Sequence, residues 1–433
     1  MFLMHKLKVG LAGFGTVGAG VVKLLHSKRR EIARKTGVLI DLVRIVDKDI
    51  TSPRGVKIPG KLLSRNLSSI LEDEDIEVVV ELIGGIREAR ALHLEAFKRG
   101  KSVVTANKAL LAAYGGELFA RAQDAGVALS FEASCSSGVP VIAALRDGLI
   151  ANRLTHIWGI LNSTSNYILS RMAKEKVEYK EALKTAQEEG YAESRPHLDV
   201  QGVDAAHKLS ILARLGFGVD FNWGEIFHEG ITRVKPRDID YAAKLGYVVK
   251  PLAIGKSTGN SIELRVHPTL VPLTHPLSTV DGINNAVWVR GDAVGEVLFY
   301  GQGAGQMPAA SAVVSDLIDV ALGRAKISLK ELNIYPGKSK IVPLKPMGKI
   351  ITRYYLRVTA LDKPGVLAQV AGILGKHKIS ISSVIQQESG KAGAVPVVIM
   401  THQAREENMQ KALKEIDLLK VIKGKSALLR VEG

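Results

Sequence analysis

Glu193, Asp199, Asp204 and Lys208 place four ionisable groups in the stretch Gly190-Tyr-Ala-Glu-Ser-Arg-Pro-His-Leu-Asp-Val-Gln-Gly-Val-Asp204-Ala-Ala-His-Lys208. Gly190, Pro196 and Gly202 bend the chain, and after Gly202 the apolar residues Leu209, Ile211, Leu212 and Leu215 recur at helical spacing. Asp204 then falls in a first helical turn, where the helix dipole favours a carboxylate. Lys208 follows one turn later on the face that carries Ile211, Leu212 and Leu215, so that face is expected to point inward. A lysine turned inward is costly unless paired, and such lysines are commonly functional. The spacing alone also suits an ordinary surface ion pair, which is common and weak. The surrounding elements have to decide between the two.

The first of those elements is N-terminal. Lys6–Leu11 reads as a short buried strand running into Gly13-Phe14-Gly15-Thr16-Val17-Gly18 and the helical run Ala19–Leu25. Strand, GxGxxG and helix is the context of the dinucleotide fingerprint, in which the glycines allow a tight turn, approach of pyrophosphate and close helix–strand packing. The pyrophosphate lies on amides at the helix N-terminus. Asp41–Val46 reads as the second strand, with Asp47 at its carboxyl end, where a carboxylate bonds ribose hydroxyls and disfavours a 2′-phosphate. Lys48, Arg54 and Lys57 follow and suit that phosphate instead. NAD and NADP both stay open, with a lean to NAD.

Glu77–Ile83, Lys101–Thr105 and Val127–Phe131 continue the series of apolar strands between helices, which indicates a parallel sheet covered on both faces. Ligands bind at the carboxyl ends of such strands, where Asn107, Lys108, Glu132 and Cys135 all fall. The helix dipole disfavours a lysine at a helix start, so the position of Lys108 hints at a purpose. Cys135 has the placement of an acylating nucleophile, but no histidine lies nearby in sequence to act as its base. Ile157–Leu169 is expected to be a strand giving way to a helix across the polar turn Asn162-Ser163-Thr164-Ser165-Asn166. That turn suits a carboxylate or phosphate, or simple helix capping. Glu175–Glu188 reads as one charged amphipathic helix, and Asp220–Arg290 as an antiparallel sheet of a second domain. Tyr300-Gly-Gln-Gly303-Ala-Gly305 and the helix Ala310–Ala321 look like a return to the first domain, the glycines suiting a ligand or another helix equally.

Composition narrows the class. The 433 residues are 46% hydrophobic and 24% charged, as expected for a globular protein of two or three domains. The single cysteine excludes an internal disulfide and fits a reducing, cytoplasmic setting. Met1–His5 is too short and too quickly charged for a signal peptide, and charges interrupt every candidate membrane span. The net charge of +16 is scattered, without a basic tail or an aromatic–arginine platform, so nucleic acid is not an expected partner and anionic small molecules are.

Several long motifs occur together and in order: GFGTVG (13–18), VVVELIGG (78–85), VVTANKALLA (103–112), FEAS with GVP (131–140), GILNSTSNYIL (159–169), EEGYAE with DVQGVDAAHKL, and GQGAG (301–305). Over most of residues 5–325 the chain resembles homoserine dehydrogenase. The resemblance implies reversible NAD(P)H-dependent reduction of L-aspartate 4-semialdehyde to L-homoserine, on the route to threonine, methionine and isoleucine. Lys208 would supply the proton to the forming alkoxide, directly or through water, with Asp204 supporting it and Lys108 as a second active-site lysine. Glu193 and Asp199 would hold the substrate, together with Gly190, Asn162 and Thr164. The cofactor would rest on Gly13, Phe14, Gly15, Thr16, Val17, Gly18, Asp47, Asn107, Lys108 and Gly303. A structural sodium or potassium ion would lie at Glu132 and the carbonyls around Cys135, Ser137 and Val139. Three positions depart from the family pattern: Arg195 before Pro196, Cys135-Ser136-Ser137 in place of a glycine-rich run, and Ser163 in place of glycine.

Ile327–Gly348 is rich in lysine, proline and glycine and reads as a linker. Beyond it, strands at Arg353–Ala360, Ile379–Gln387, Ala394–Thr401 and Ala427–Val431 and helices at Val366–Lys376 and Glu406–Leu419 give a βαββαβ order. Residues 361–387 resemble an ACT domain, a small amino-acid-binding regulatory module. That implies an effector site around Asp362, Gly365, Val366 and Leu367, threonine as effector, and pairing into a dimer or tetramer. An empty dimerisation module is the alternative. The expected architecture is α/β: a Rossmann-type doubly wound domain (1–140 with about 301–325), an α+β substrate and dimerisation domain (141–300), a linker (326–350) and a ferredoxin-like ACT domain (351–433). Two other functions compete: a phosphorylating semialdehyde dehydrogenase using Cys135, and a non-catalytic amino-acid sensor.

Overall fold

The computed structural model describes residues 5–258, 261–335, 342–386 and 393–433. Met1–Met4, part of the expected linker (336–341) and the last residue of the strand expected at Ile379–Gln387 lie outside them.

Near-continuous apolar strands require cover on both faces, and six of them form one parallel sheet in the spatial order Leu63–Ser64, Val38–Val46, His5–Ala12, Val78–Glu81, Ser102–Thr105, Leu129–Ser130. Counted along the chain this is 3-2-1-4-5-6, the doubly wound arrangement. Val9, Leu11, Val78, Val80 and Val104 pack on one side with residues of helices Thr16–Thr36 and Gln306–Ala321. Val79 and Val103 pack on the other with helices Arg87–Lys98 and Lys108–Ala125. Gly20 sets the first helix pair close together, because a Cβ there would stand 2.8 Å from the Gln306 carbonyl oxygen. The second glycine-rich turn thus leads the chain back onto the first sheet.

The second sheet runs Gly295–Gln302, Asn284–Gly291, Leu154–Ile160, Tyr247–Ser257, Ile262–Pro272, Ala427–Val431, Ile351–Leu361, Ala394–Thr401, Ile381–Gln386. Its last four strands are those of the C-terminal βαββαβ module. The final strand, Ala427–Val431, joins the two parts: it pairs parallel with Ile262–Pro272 through Thr269–Arg430 and Leu270–Val431, and antiparallel with Ile351–Leu361. Buried charges line this seam. Arg265 meets Glu263 and Glu432, Arg430 meets Glu406 and Glu229, and Arg357 meets Asp238. A buried arginine keeps its charge, so each must hold a carboxylate to be tolerated there.

Two expectations from sequence need correction. The charged helix expected at Glu175–Glu188 starts later, at Tyr179, because Lys176 takes a left-handed φ of +57° and ends the preceding helix, Ser163–Glu175. Among its described residues the linker is anchored at intervals: Arg324–Glu331 is helical, Leu329 and Tyr335 are buried in the main core, and Leu344 bridges to Ile262. Its apolar anchors are too widely spaced to show a period. Among the described residues no helix is long and apolar enough to cross a membrane.

Candidate active site

Gly202 takes a left-handed φ of +82° at the start of helix Val203–Phe217, where a Cβ would press to 3.2 Å from Val266. The helix is buried on nearly all sides, through Ala205, Ala206, Leu209, Ser210, Ile211, Leu212 and Ala213. Asp204 and Lys208 therefore meet inside the protein, Nζ to Oδ2 at 2.9 Å. Lys108 opens the helix that follows strand Ser102–Thr105, and its Nζ lies 2.8 Å from the other oxygen, Oδ1. Burial alone would push the Asp204 carboxyl up, but the ammonium charges of Lys208 and Lys108 outweigh it and hold the group well below the usual carboxylate range. The Asp204 charge in turn raises Lys108.

The polar turn before helix Ser163–Glu175 closes the site. The Asn162 side chain caps that helix by accepting from the Ser165 N–H at 2.8 Å, and its Nδ2 donates to Asp199 Oδ1 at 2.7 Å and Asp204 Oδ2 at 2.9 Å. Lys208 Nζ donates to the Leu161 carbonyl at 2.7 Å. Burial, and then the Asp204 charge, raise the Asp199 carboxyl above its ordinary value. Thr164 Oγ1 donates to the Tyr191 carbonyl and Ser165 Oγ to that of Asp199, at 2.8 and 3.0 Å, so these hydroxyls anchor the bent loop. Lys108, Asn162, Asp199, Asp204 and Lys208 are thus brought into one group. Glu193 is not: it lies exposed on the loop after Ala192, with Arg195 beside it, and Gly190 turns the chain into that loop at φ +77°.

This group stands beside the glycine-rich turn's sheet, at the carboxyl ends of the strands. Gly13 has φ +104° and leaves no room for a Cβ, which would stand 2.4 Å from the Leu82 carbonyl oxygen. Gly18 is equally confined against Gly13, whereas Gly15 faces open space and the first turn of its helix carries no acidic residue. That is the surface a pyrophosphate needs. Asp47 already accepts from the Phe14 and Asp49 N–H groups at 2.5 and 2.8 Å, so it shapes the turn. Asn107 caps its helix and donates to the Gly85 carbonyl at 2.7 Å.

Residues 13–132 match the NAD-binding domain of homoserine dehydrogenase, residues 140–318 the homoserine dehydrogenase domain and residues 354–418 the ACT domain. A homoserine dehydrogenase from Pseudomonas aeruginosa is 42% identical over 99% of both chains. The chain belongs to the homoserine dehydrogenase family. The crystal structure of a homoserine dehydrogenase from Thiobacillus denitrificans is 42% identical, with a TM-score of 0.92 over 99% of both chains. A hyperthermophilic archaeal homoserine dehydrogenase in complex with NADPH is 26% identical, with a TM-score of 0.62 over 73% of this chain and 98% of that one.

As a homoserine dehydrogenase family member, the chain is an NAD(P)-dependent oxidoreductase, and the surroundings of Cys135 do not favour a nucleophile. Its thiol is fully buried, burial pushes its pKa up to about 12, and the sulfur lies 3.8 Å from the Lys208 carbonyl. Burial disfavours the thiolate that a nucleophilic cysteine needs. Both carboxylate oxygens of Glu132 accept backbone N–H groups, of Ile142 and Ala143, at 2.9 and 2.8 Å. Its side chain thus satisfies two amides at a helix start. Among the described residues no group of three His, Cys, Asp or Glu side chains gathers for a metal.

In the ACT domain a cavity is lined by Val358, Lys363, Gly365, Val366, Leu367 and Gln386. Asp362 is not among its lining residues, though Leu361 and Lys363 on either side are; its N–H donates to the Gly393 carbonyl at 3.1 Å. Sequence reading missed two groups of the active site. One is the Leu161 carbonyl, which no side-chain pattern reports. The other is Asn285, fully buried on strand Asn284–Gly291, whose only sequence signal is a pair of asparagines entering a strand.

Proposed function

We propose that this chain catalyses the reversible reduction of L-aspartate 4-semialdehyde to L-homoserine, and that Lys208 is its proton donor. Two ammonium groups on one buried carboxylate, at the carboxyl ends of a dinucleotide-binding sheet, carry this reading. The bound nicotinamide supplies the hydride. As the aldehyde oxygen gains negative charge, Lys208 delivers a proton to it and is reprotonated from solvent, while Asp204 keeps the ammonium in place. Lys108 lies beside the same oxygen position and stabilises its charge. Asp199, held by Asn162, and Glu193, on its exposed loop, bind the substrate's amino group and hydroxyl. Gly13, Gly15 and Gly18 hold the dinucleotide. A structural sodium or potassium ion at Glu132 and the carbonyls near Cys135, Ser137 and Val139 belongs to the same proposal.

The ACT cavity around Gly365, Val366 and Leu367 takes a small amino acid, and threonine is the proposed effector. The final strand occupies one edge of the ACT sheet, which leaves Ile381–Gln386 as its other edge, next to that cavity. An edge strand offers unpaired backbone groups, so we place pairing of two copies there. A cytoplasmic, substrate-supplied setting suits the lone buried thiol.

Oxidation of NADH and of NADPH by the purified chain, followed with aspartate semialdehyde in the presence and absence of threonine, tests the whole reading. Semialdehyde-dependent oxidation slowed by threonine is the expected result. Phosphate-dependent reduction of NAD(P)+ by the semialdehyde, or no oxidation of either reduced cofactor, overturns it.

A further inference from the structure

Asn285 touches three segments that meet behind the proton donor. Its Nδ2 donates to the Leu161 carbonyl at 3.0 Å and to Ser136 Oγ at 3.3 Å, and its Oδ1 accepts from Ser163 Oγ at 3.0 Å. The side chain is fully buried. It also explains a glycine: a Cβ on Gly303 would stand 2.0 to 2.4 Å from the Asn285 amide atoms, so Gly303 is confined by Asn285. Ser136, on the far side, holds a left-handed φ of +51°, a strained conformation for a serine.

The Leu161 carbonyl is the point where these contacts reach the chemistry. Lys208 Nζ donates to it at 2.7 Å, so its oxygen accepts both the ammonium and the Asn285 amide. An ammonium has three N–H donors. One goes to Asp204 Oδ2 and one to Leu161, which fixes the direction of the third. That third N–H is the one left for the substrate oxygen. Any rotation of the Leu161 peptide would re-aim it, and an error of about 1 Å in such a group costs on the order of a hundredfold in rate.

We propose that Asn285 is a positioning residue for proton delivery: it holds the Leu161 carbonyl, and through it the orientation of the Lys208 ammonium. The proposal rests on Lys208 being the proton donor. Asn285 itself does not touch substrate or cofactor in this assignment, so its effect falls on kcat and not on KM.

A double-mutant cycle separates this from a packing role. In the wild-type background, Asn285→Ala is expected to lower kcat about tenfold or more, with KM for semialdehyde and for NADPH within about twofold. In the Lys208→Ala background, where no ammonium remains to be aimed, the same change is expected to cost less than about twofold in single-turnover rate. Equal losses in the two backgrounds, or a loss confined to KM, overturn the proposal. Ser163→Ala, which frees the Asn285 amide without opening a core cavity, is the second arm if Asn285→Ala fails to fold. It is expected to show the same background dependence with a smaller loss, and equal losses again overturn the proposal. Lys208→Ala with unchanged kcat instead refutes the proton-donor assignment itself, a result read before the cycle is closed.

Discussion

Lys208 and Asp204 stand one helical turn apart and close a 2.9 Å ion pair in a helix that has no solvated face around them. An exposed pair at this spacing is worth a few tenths of a kcal/mol. A buried one is different, because removing either partner leaves the other charged and uncompensated, at about 3–5 kcal/mol. Here Lys108 adds a second ammonium to the same carboxylate, so both lysines are tied to one buried charge.

Asp204→Asn preserves shape and removes that charge. The Asp204 carboxyl is held below its ordinary value, so its contribution to stability is present above the ordinary carboxylate pKa and is lost as pH falls through the folded-state value. The wild type should melt well above Asp204→Asn at pH 7, and the gap should narrow steadily below about pH 4. Melting curves across that range check it. A gap that does not change with pH contradicts the assignment.

Asp199 is expected to behave in the opposite sense. Burial and the Asp204 charge raise its carboxyl, so the ionised form costs stability above the folded-state pKa and the cost vanishes as pH falls. Asp199→Asn should raise the melting temperature at pH 7, lose that gain in acid, and lower kcat/KM for the semialdehyde at least tenfold, on the order of one lost charged hydrogen bond. Stabilisation without loss of activity would remove Asp199 from the substrate site.

Cys135→Ser should retain turnover within about threefold of wild type while costing roughly 1 kcal/mol of stability, because a hydroxyl replaces a buried thiol in an apolar pocket. Abolished turnover in folded protein would restore the thiol mechanism.

The seam between the ACT domain and the rest changes how regulation has to be tested. A chain ending near Ala325 would lose the strand Ala427–Val431, take Glu432 from Arg265, which keeps Glu263, and take Arg430 from Glu229. Arg430→Ala, which strands Glu406 and Glu229, should cost about 3–5 kcal/mol, read by denaturant unfolding. Leu367→Arg, at the exposed lip of the ACT cavity, leaves the seam intact. It should abolish the proposed threonine inhibition with basal kcat unchanged; inhibition that persists undiminished would move the effector elsewhere.

Much of the fold was legible because it depends on periodicity and on backbone needs that only certain residues meet. Apolar strands alternating with helices signalled the parallel sheet, and GxGxxG after a strand signalled the cradle. Asp204 and Lys208 were legible from spacing, and Lys108 from its awkward place at a helix start. The two-part second sheet was not legible, since the parallel join of Thr269 to Arg430 pairs residues far apart in sequence and leaves no local pattern. Nor were the roles of Asn162 and Thr164, which bind the protein's own carboxylates and carbonyls. Polar side chains in a turn advertise hydrogen bonding without saying to what. Glu193 carries a suitable charge, yet it lies exposed and apart from the other groups, so its role depends on the loop it rides.

The most direct measurement of the central claim is the turnover of Lys208→Ala with saturating aspartate semialdehyde and NADPH, set beside its KM values and the wild type's. General acid catalysis is worth about 10²–10⁴ in rate, so kcat should fall by that much while both KM values stay within about threefold. A kcat within threefold of wild type would contradict the assignment of Lys208 as the proton donor.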